Sequence, residues 1–169
     1  MAAATALCKI SDHTGVIPLI KALTDKDSMV RKSAVESLAQ LADRRAVIPI
    51  GRRLEDESRF VRQTAVAALA RIGDERAVEP LIAALDNRYR EVRTAAAQAL
   101  TTFPREIIVD PMITASKSKH RRVRIAALRA LGGIDDDLAL RALVEALLDN
   151  GRRIVTTAIR SITSLPRKR

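Results

Sequence analysis

Apolar side chains recur along this chain with a step of 31 residues. Val61, Ala65 and Leu69 follow one another at intervals of four, so they lie on one face of an α-helix. Between residues 30 and 162, an apolar residue occupies every position reached from these three in steps of 31. The fifteen positions are Val30, Val61, Val92, Val123, Ile154; Ala34, Ala65, Ala96, Ala127, Ala158; and Leu38, Leu69, Leu100, Leu131, Ile162. This period predicts an array of similar helical units.

A second, shorter amphipathic segment precedes each of these helices. Val78, Leu81, Ile82 and Leu85 form one such apolar face, and polar residues 86–90 connect it to the next long helix. Each unit is therefore predicted to be a helical hairpin, with a short helix A and a longer helix B. An aspartate that can accept hydrogen bonds from the free amides of a first turn recurs before helix A, at Asp12, Asp43, Asp74 and Asp136.

A proline follows in four of the five units, at Pro18, Pro49, Pro80 and Pro111. Proline is tolerated in the first turn of a helix, whereas a deeper position would bend helix A, and the sequence leaves both placements open. In the fourth unit Pro104 and Arg105 replace the capping aspartate, and in the fifth Ala142 replaces the proline. We expect a local irregularity around residues 103–111.

A single hairpin of this length cannot hide its apolar stripe from water, but stacked hairpins share one core. The predicted fold is all-α, an α-solenoid of five 31-residue repeats in a single array. Neither end of the sequence shows a polar cap, so end-to-end self-association is predicted as a possibility. The expected segments are a partial repeat at 1–11, full repeats at 12–42, 43–73, 74–104, 105–135 and 136–166, and a basic tail at 167–169.

The segments FVRQTAVAALARIGD (residues 60–74) and IGDERAVEPLIAALDN (residues 72–87) resemble the HEAT-like repeats named after the phycobilisome lyases. The resemblance covers essentially the whole chain and implies a superhelix whose B helices line the concave side. It leaves function open, because such repeats occur in chromophore lyases, in an iron hydroxylase and in binding scaffolds.

Composition narrows the possible partners and compartments. Aromatic residues make up only 2% of the chain, so the core must be assembled from Ala, Val, Leu and Ile. The 30 Lys and Arg residues exceed the 20 Asp and Glu residues, and the resulting charge of +10 favours anionic partners. A single cysteine, Cys8, excludes an internal disulfide, and the sequence indicates neither an export signal nor a membrane span. The default expectation is a cytoplasmic protein.

The sequence shows no catalytic apparatus. Deoxyhypusine hydroxylase, the iron enzyme among similar proteins, binds its metal through His-Glu pairs, but neither His13 nor His120 is followed by Glu. The residues equivalent to Cys8 in later repeats are small, which indicates packing, and the acidic run 135–137 is explained by helix capping. No glycine-rich phosphate loop appears. We therefore predict no catalytic, metal or cofactor residue, although lyase-like activity is not excluded.

The outward face of helix B is the candidate binding surface. If Val61 and Ala65 point inward, residues 60, 63, 67 and 71 point outward. Two of the outward columns become basic along the chain: Met29, Phe60, Glu91, Arg122, Arg153, and Glu36, Ala67, Gln98, Arg129, Arg160.

Two further arginine columns lie near the start of helix B. A cation in a first helical turn opposes the helix dipole, at a cost of about 0.3–1 kcal/mol, so Arg59, Arg90, Arg121 and Arg152 suggest retained anion sites. Alternatively these arginines extend into solvent or pair with acids such as Asp56, Asp86 and Asp149. The other column belongs to the repeat pattern and is predicted to join each turn to the next repeat; it consists of Arg31, Arg62, Arg93 and Arg124.

The leading hypothesis is a non-enzymatic scaffold that grips an acidic protein partner, with Phe60 and Ile125 as exposed apolar anchors. Binding of nucleic-acid phosphates is the second hypothesis, although the lack of stacking aromatics argues against single strands. A chaperone for a bilin chromophore or its acceptor protein is the third. The predicted binding residues are Arg59, Phe60, Gln63, Arg71, Arg90, Arg121, Arg122, Ile125, Arg129, Arg152, Arg153 and Arg160.

Overall fold

The computed structural model describes residues 15–165. The predictions for the partial repeat at 1–11, for Cys8, Asp12 and His13, and for the tail at 167–169 lie outside these residues. The described part contains ten α-helices and no strand, and none of its helices is long and apolar enough to cross a membrane. The helices are α1 Val16–Ala22, α2 Ser28–Leu41, α3 Val47–Gly51, α4 Arg59–Ile72, α5 Val78–Ala83, α6 Arg90–Leu100, α7 Arg105–Ser116, α8 Arg121–Leu131, α9 Asp137–Glu145 and α10 Arg152–Ser164.

The predicted helical hairpins are confirmed. The odd-numbered helices correspond to helix A and the even-numbered ones to helix B. The short A helices α3 and α5 are extended at both ends by 3₁₀ turns, for example Arg44–Ala46 before α3 and Arg52–Glu55 after it. These turns let a segment with a proline near its start continue as a helical rod.

The predicted core is buried, with two exceptions. The five alanines of the middle column, Ala34, Ala65, Ala96, Ala127 and Ala158, are each 0% exposed. Their small side chains allow neighbouring B helices to approach closely. Val30 and Ile162, the first and last members of the other two columns, are only half-buried. The core thus follows the 31-residue period.

The capping aspartates act as predicted. The Asp43 carboxylate accepts a hydrogen bond of 2.8 Å from the Arg45 amide, and Asp74 accepts one of 2.9 Å from the Arg76 amide. Asp136 accepts from two amides at the start of α9. Each carboxylate satisfies amides that the first turn leaves without a helical partner.

The structure shows where each proline lies in its helix, a point that the sequence left open. Pro18, Pro49 and Pro80 each stand third in their helices, within the first turn. Pro111 lies in the interior of α7, because that helix starts early, directly after Pro104. The predicted irregularity of the fourth repeat is therefore a longer helix A with a proline inside it.

The chain divides into two compact units, Met1–Thr102 and Phe103–Arg169. The division falls directly before the irregular fourth repeat. In the first unit α4 packs against both α2 and α6, and in the second α8 packs against α7 and α10. A single continuous array of five repeats stays a prediction.

A second recurring turn precedes every B helix. Its first residue accepts a hydrogen bond from the amide two residues later through a carboxylate, amide or hydroxyl oxygen. The acceptors are Asp25, Asp56, Asn87, Ser118 and Asp149. In four repeats an arginine follows the acceptor residue by six positions: Arg31, Arg62, Arg93 and Arg124. Its Nη1 donates hydrogen bonds to the carbonyls of the first two residues of the turn. The turn and helix B are thereby joined within each of the four repeats that carry the arginine.

Three of these arginines also reach an acid of the following repeat, as predicted. Arg31 binds Asp56 through two hydrogen bonds of 2.8 Å, with both side chains almost fully buried. Arg62 contacts Glu91 at 2.6 Å, and Arg124 lies 3.5 Å from Asp149. Arg62 is additionally covered by the ring of Tyr89, whose centroid lies 3.4 Å from the guanidinium carbon. These contacts connect successive repeats inside each unit.

We expect Asp56→Ala to lower the free energy of unfolding by about 3–5 kcal/mol, because it removes both hydrogen bonds between the buried Arg31 and Asp56 and leaves that guanidinium only the exposed Glu57 as a carboxylate partner. Urea denaturation followed by circular dichroism measures the change. Glu145→Ala is the control, since Glu145 pairs with Lys117 at the surface and its loss should cost below about 1 kcal/mol. Equal effects of the two substitutions would contradict a structural role for the buried pair.

The Arg31–Asp56 pair should also make stability depend on pH. Burial raises the pKa of Asp56, but hydrogen bonds from Arg31 and from the Ser58 amide outweigh it and hold this pKa below its ordinary value. The stabilisation is then present above the ordinary carboxyl pKa of about 3.9 and is lost as the pH falls through the lowered pKa. We expect the stability difference between the wild type and Asp56→Asn to shrink from about pH 6 to about pH 3. A difference that stays constant in denaturation curves at the two pH values would argue against a charged pair.

Candidate functional site

The B helices of the second unit carry only one sign of charge. Helices α8 and α10 contain seven arginines and no acidic residue. Arg124 is half-buried and lies beside Asp149, whereas the other six are exposed. These six are Arg121, Arg122, Arg129, Arg152, Arg153 and Arg160. All six were predicted from the sequence as binding residues.

The acids of the second unit lie on other elements. Glu145 belongs to α9 and pairs with Lys117 at 2.9 Å, and Asp136 caps the same helix. Residues 103–169 contain 14 Lys and Arg and seven Asp and Glu, so this segment carries +7 of the net charge of +10. The positive charge is thus concentrated in the second unit, and within its described part it lies chiefly on α8 and α10.

The first-turn arginines occupy the predicted positions, since Arg59, Arg90, Arg121 and Arg152 are the first residues of α4, α6, α8 and α10. The suggested pairing with Asp56 or Asp149 is wrong, because Arg31 binds Asp56 and Arg124 lies beside Asp149. Arg90, Arg121 and Arg152 form no ion pair with any residue between 15 and 165. They are therefore available to an external anion. Arg59 lies close enough to Glu91 to contribute to its lowered pKa, whose main cause is the hydrogen bond from Arg62.

In the first unit the structure brings several outward positions into one groove between α2 and α4. The groove has a volume of about 510 Å³ and is lined by Glu36, Ala39, Gln40, Gln63, Thr64, Ala67, Ala68 and Arg71. The predicted residues Gln63 and Arg71 both line this groove, together with three alanines. Phe60 is 66% exposed, and its role as an apolar anchor stays a prediction. Ile125 in the second unit is half-buried and so offers less surface than was predicted.

The second unit contains a cavity of about 590 Å³ that the sequence did not indicate. Its lining comes from the end of α7 and the residue after it, from α8, from α9 and from the segment before α10. The lining residues are Ser116, Lys117, Arg124, Ala142, Glu145, Ala146, Leu148, Asp149 and Asn150. The pairs Lys117–Glu145 and Arg124–Asp149 both belong to its wall, so its charges largely cancel. This balance makes it a weaker anion site than the exposed faces of α8 and α10.

The last repeat exposes apolar residues at positions that the preceding repeat buries. Leu140 is 38% exposed and Ile159 is 50% exposed, whereas Val109 and Leu128, 31 residues earlier, are 7% and 0% exposed. The self-association suggested by the sequence stays a prediction, and these two residues are the ones to substitute in testing it.

The part of the chain from 15 to 165 contains no group of three or more His, Cys, Asp or Glu placed to hold a metal ion. His120 lies at the exposed start of α8, and Asp135, Asp136 and Asp137 lie at the start of α9, where Asp136 is the cap.

Comparisons with known proteins agree with this architecture. The profile of the family described as HEAT repeats matches residues 1–50, 16–101 and 89–163. No curated protein matches the chain in a sequence comparison.

Among solved structures, the HEAT-like repeats protein from Thermococcus onnurineus is 14% identical, with a TM-score of 0.56 over 98% of this chain and 78% of that one. A designed armadillo repeat protein in complex with peptide (KR)4 is 20% identical, with a TM-score of 0.52 over 98% and 92%. The complex of CpcE and CpcF of phycocyanin lyase from Nostoc is 20% identical, with a TM-score of 0.49 over 98% and 88%. The first two likenesses confirm the predicted α-solenoid class.

If the exposed arginines on α8 and α10 do not stabilise the fold, replacing one of them should leave the free energy of unfolding nearly unchanged. We expect Arg153→Ala to change the free energy of unfolding by less than about 0.5 kcal/mol, because Arg153 is exposed. Arg62→Ala provides the contrast, since it removes hydrogen bonds to two carbonyls and to Glu91. A loss for Arg153→Ala as large as that for Arg62→Ala, measured by urea denaturation, would mean that the surface arginine serves the fold.

Proposed function

We propose that this chain, which belongs to the HEAT-repeat family as its resemblance implied, is a non-enzymatic scaffold that binds a protein partner through the outward faces of its B helices. The partner presents an acidic surface. The six exposed arginines of α8 and α10, on two helices without a single acid, are the observation that carries this proposal.

Charge and exposure together support a binding role. Five of the six arginines are exposed and form no ion pair with a described residue, so an incoming carboxylate can take up to two hydrogen-bond donors from one guanidinium. These five are Arg121, Arg129, Arg152, Arg153 and Arg160. Clustered charge of one sign also accelerates encounter with an oppositely charged protein. The fold supports the same role, since the designed armadillo protein of similar fold is in complex with peptide (KR)4. That ligand is basic, whereas the charge of α8 and α10 calls for an acidic one.

Nucleic-acid phosphates are the second candidate, because the same exposed arginines suit a phosphate backbone. Among the described residues, Phe60 offers the only freely exposed aromatic ring for base stacking. Phe103 is buried, and the ring of Tyr89 is covered by Arg62. A protein partner is therefore preferred. A role as a chaperone for a bilin or its acceptor protein has no separate support from the described residues.

Reversing the charge at two outward positions tests the proposal. We expect Arg122→Glu combined with Arg153→Glu to abolish capture of acidic proteins from a native lysate and to weaken the salt dependence of binding to any captured partner. Arg141→Glu is the matched control, because Arg141 is exposed on the A helix α9.

Unchanged capture by the double variant would contradict the proposed surface. Duplex DNA is titrated in parallel at low and moderate salt. Tight binding to DNA at moderate salt, lost in the double variant, would favour the nucleic-acid candidate instead.

A further inference from the structure

The cavity of the second unit lies where the fourth and fifth repeats meet. The equivalent junction of the first unit joins the first and second repeats, three repeats earlier in the sequence. There Arg53 reaches from the second repeat to the first, and its Nη1 donates a hydrogen bond of 3.0 Å to the Leu23 carbonyl. The same Nη1 lies 3.5 Å from the Asp56 carboxylate. In the first unit, an arginine of the chain itself thus occupies this junction.

The fifth repeat lacks this arginine. Ala146 stands at the position equivalent to Arg53 and lines the cavity. The residues equivalent to Leu23 and Asp56 are Ser116 and Asp149, and both of them line the cavity as well. The cavity of about 590 Å³ therefore includes the space that an arginine side chain takes up in the first unit.

Two acceptors in the cavity wall can take a further hydrogen-bond donor. Oδ1 of Asp149 accepts a hydrogen bond of 2.7 Å from the Gly151 amide, whereas Oδ2 lies 3.5 Å from Nε of Arg124 and accepts no hydrogen bond from residues 15–165. The equivalent pair of the first unit is closed by two hydrogen bonds of 2.8 Å. The carbonyl of Ser116, at the end of α7, also receives no donor from the described residues.

Another part of the wall is apolar. It consists of Ala142, Ala146 and Leu148, of which Leu148 is 85% exposed. The four preceding repeats have a polar residue at the position of Leu148, namely Thr24, Glu55, Asp86 and Lys117. The two ion pairs of the wall cancel in charge, so the wall does not repel an added cation. The cavity thus combines hydrogen-bond acceptors with apolar surface.

We infer that this cavity binds an alkyl guanidinium, which is the side chain of arginine, either in the free amino acid or in a polypeptide. The guanidinium donates to the Asp149 carboxylate and to the Ser116 carbonyl, as Arg53 does at the equivalent junction. Its methylene stem lies against Leu148. This site is separate from the exposed arginines that carry the proposed function, so the inference goes beyond that function and does not depend on it.

A guanidinium suits these acceptors better than an ammonium or a carboxylate does. Its planar fork has five donors and can reach two acceptors at once. An ammonium is compact and more strongly hydrated, so it loses more on leaving water. A carboxylate would place its charge beside Asp149 and would leave the Ser116 carbonyl without a donor.

Nuclear magnetic resonance titration of the whole isotope-labelled chain tests the inference. The salt concentration is about 0.15 M, where a Debye length of about 8 Å screens the net positive charge of the chain. The probes are the Nα-acetyl amides of arginine, lysine and glutamate, together with free arginine. We expect the arginine amide to shift the amide signals of the cavity residues with a Kd of the order of 1 mM. The lysine and glutamate amides should bind at least about threefold more weakly.

Free arginine distinguishes the two sources of the guanidinium. Binding of free arginine more tightly than its capped amide would support a site for the amino acid. The reverse order would support a site for an arginine within a polypeptide, because a polypeptide offers no free α-ammonium and α-carboxylate groups.

Filling the cavity from within the chain should block the ligand. We expect Ala146→Arg, which restores the residue of the second repeat, to weaken binding of the arginine amide at least about tenfold. Val144→Arg is the matched control, because Val144 is exposed on α9 and does not line the cavity. It adds the same charge and should change the affinity by less than about twofold. Circular dichroism checks that both variants remain folded.

Asp149→Asn gives a second measurement that does not depend on filling the cavity. It keeps an oxygen acceptor for the Gly151 amide but removes the charge that the guanidinium contacts. We expect the arginine amide to bind at least about threefold more weakly to this variant.

Several results would overturn the inference. They are the absence of a saturable shift by about 10 mM arginine amide, unchanged affinity in both Ala146→Arg and Asp149→Asn, and binding of the lysine or glutamate amide as tight as that of the arginine amide. None of these results bears on the acidic partner, which the charge reversals at Arg122 and Arg153 test separately.

Discussion

The structure depends on the burial of one apolar stripe in each hairpin. The alanine at the centre of this stripe is 0% exposed where helix B packs against its own helix A and against the neighbouring B helix. An alanine at this place in every repeat sets the close approach of the B helices. Packing thus determines the residues on the inward faces of the B helices, whereas the outward faces can differ from repeat to repeat. The proposal about function is based on these differences.

Arginine lies in two opposite environments within a few residues of the same helix. Arg62 lies in the first turn of α4 on the inward side, where its guanidinium has two carbonyls, a carboxylate and an aromatic ring as partners. Arg59, three residues earlier, is exposed. Nη1 and Nη2 of the buried Arg62 have acceptors within the fold and its Nε has none, whereas an exposed guanidinium can exchange water for a ligand. Both residues carry the same charge, and only their surroundings distinguish the arginine that serves the fold from the one that is proposed to bind a ligand.

Much of the fold follows from the sequence, because the 31-residue period fixes both the hairpins and their inward columns. The period also identifies the exposed arginines of α8 and α10, since their positions are set by helical geometry from buried neighbours such as Val123 and Ala127. Local turns, the start of a helix and the exposure of single residues were harder to predict. The acceptor turns before helix B use Asp, Asn or Ser, three residue types that share an oxygen but do not look alike in a sequence. The depth of Pro111 depends on where α7 begins, and the partial burial of Ile125 depends on its neighbours in three dimensions.

The requirement that hairpins fold only against like hairpins is tested most directly by the second repeat in isolation. A peptide of residues 43–73 contains α3 and α4 with their capping aspartate, so every local signal for helix is retained. If burial by the neighbours is what holds the hairpin, far-ultraviolet circular dichroism of the peptide at low concentration will show a largely unfolded chain. A stable, monomeric, fully helical spectrum would contradict this account, because local propensity alone would then suffice to form the repeat.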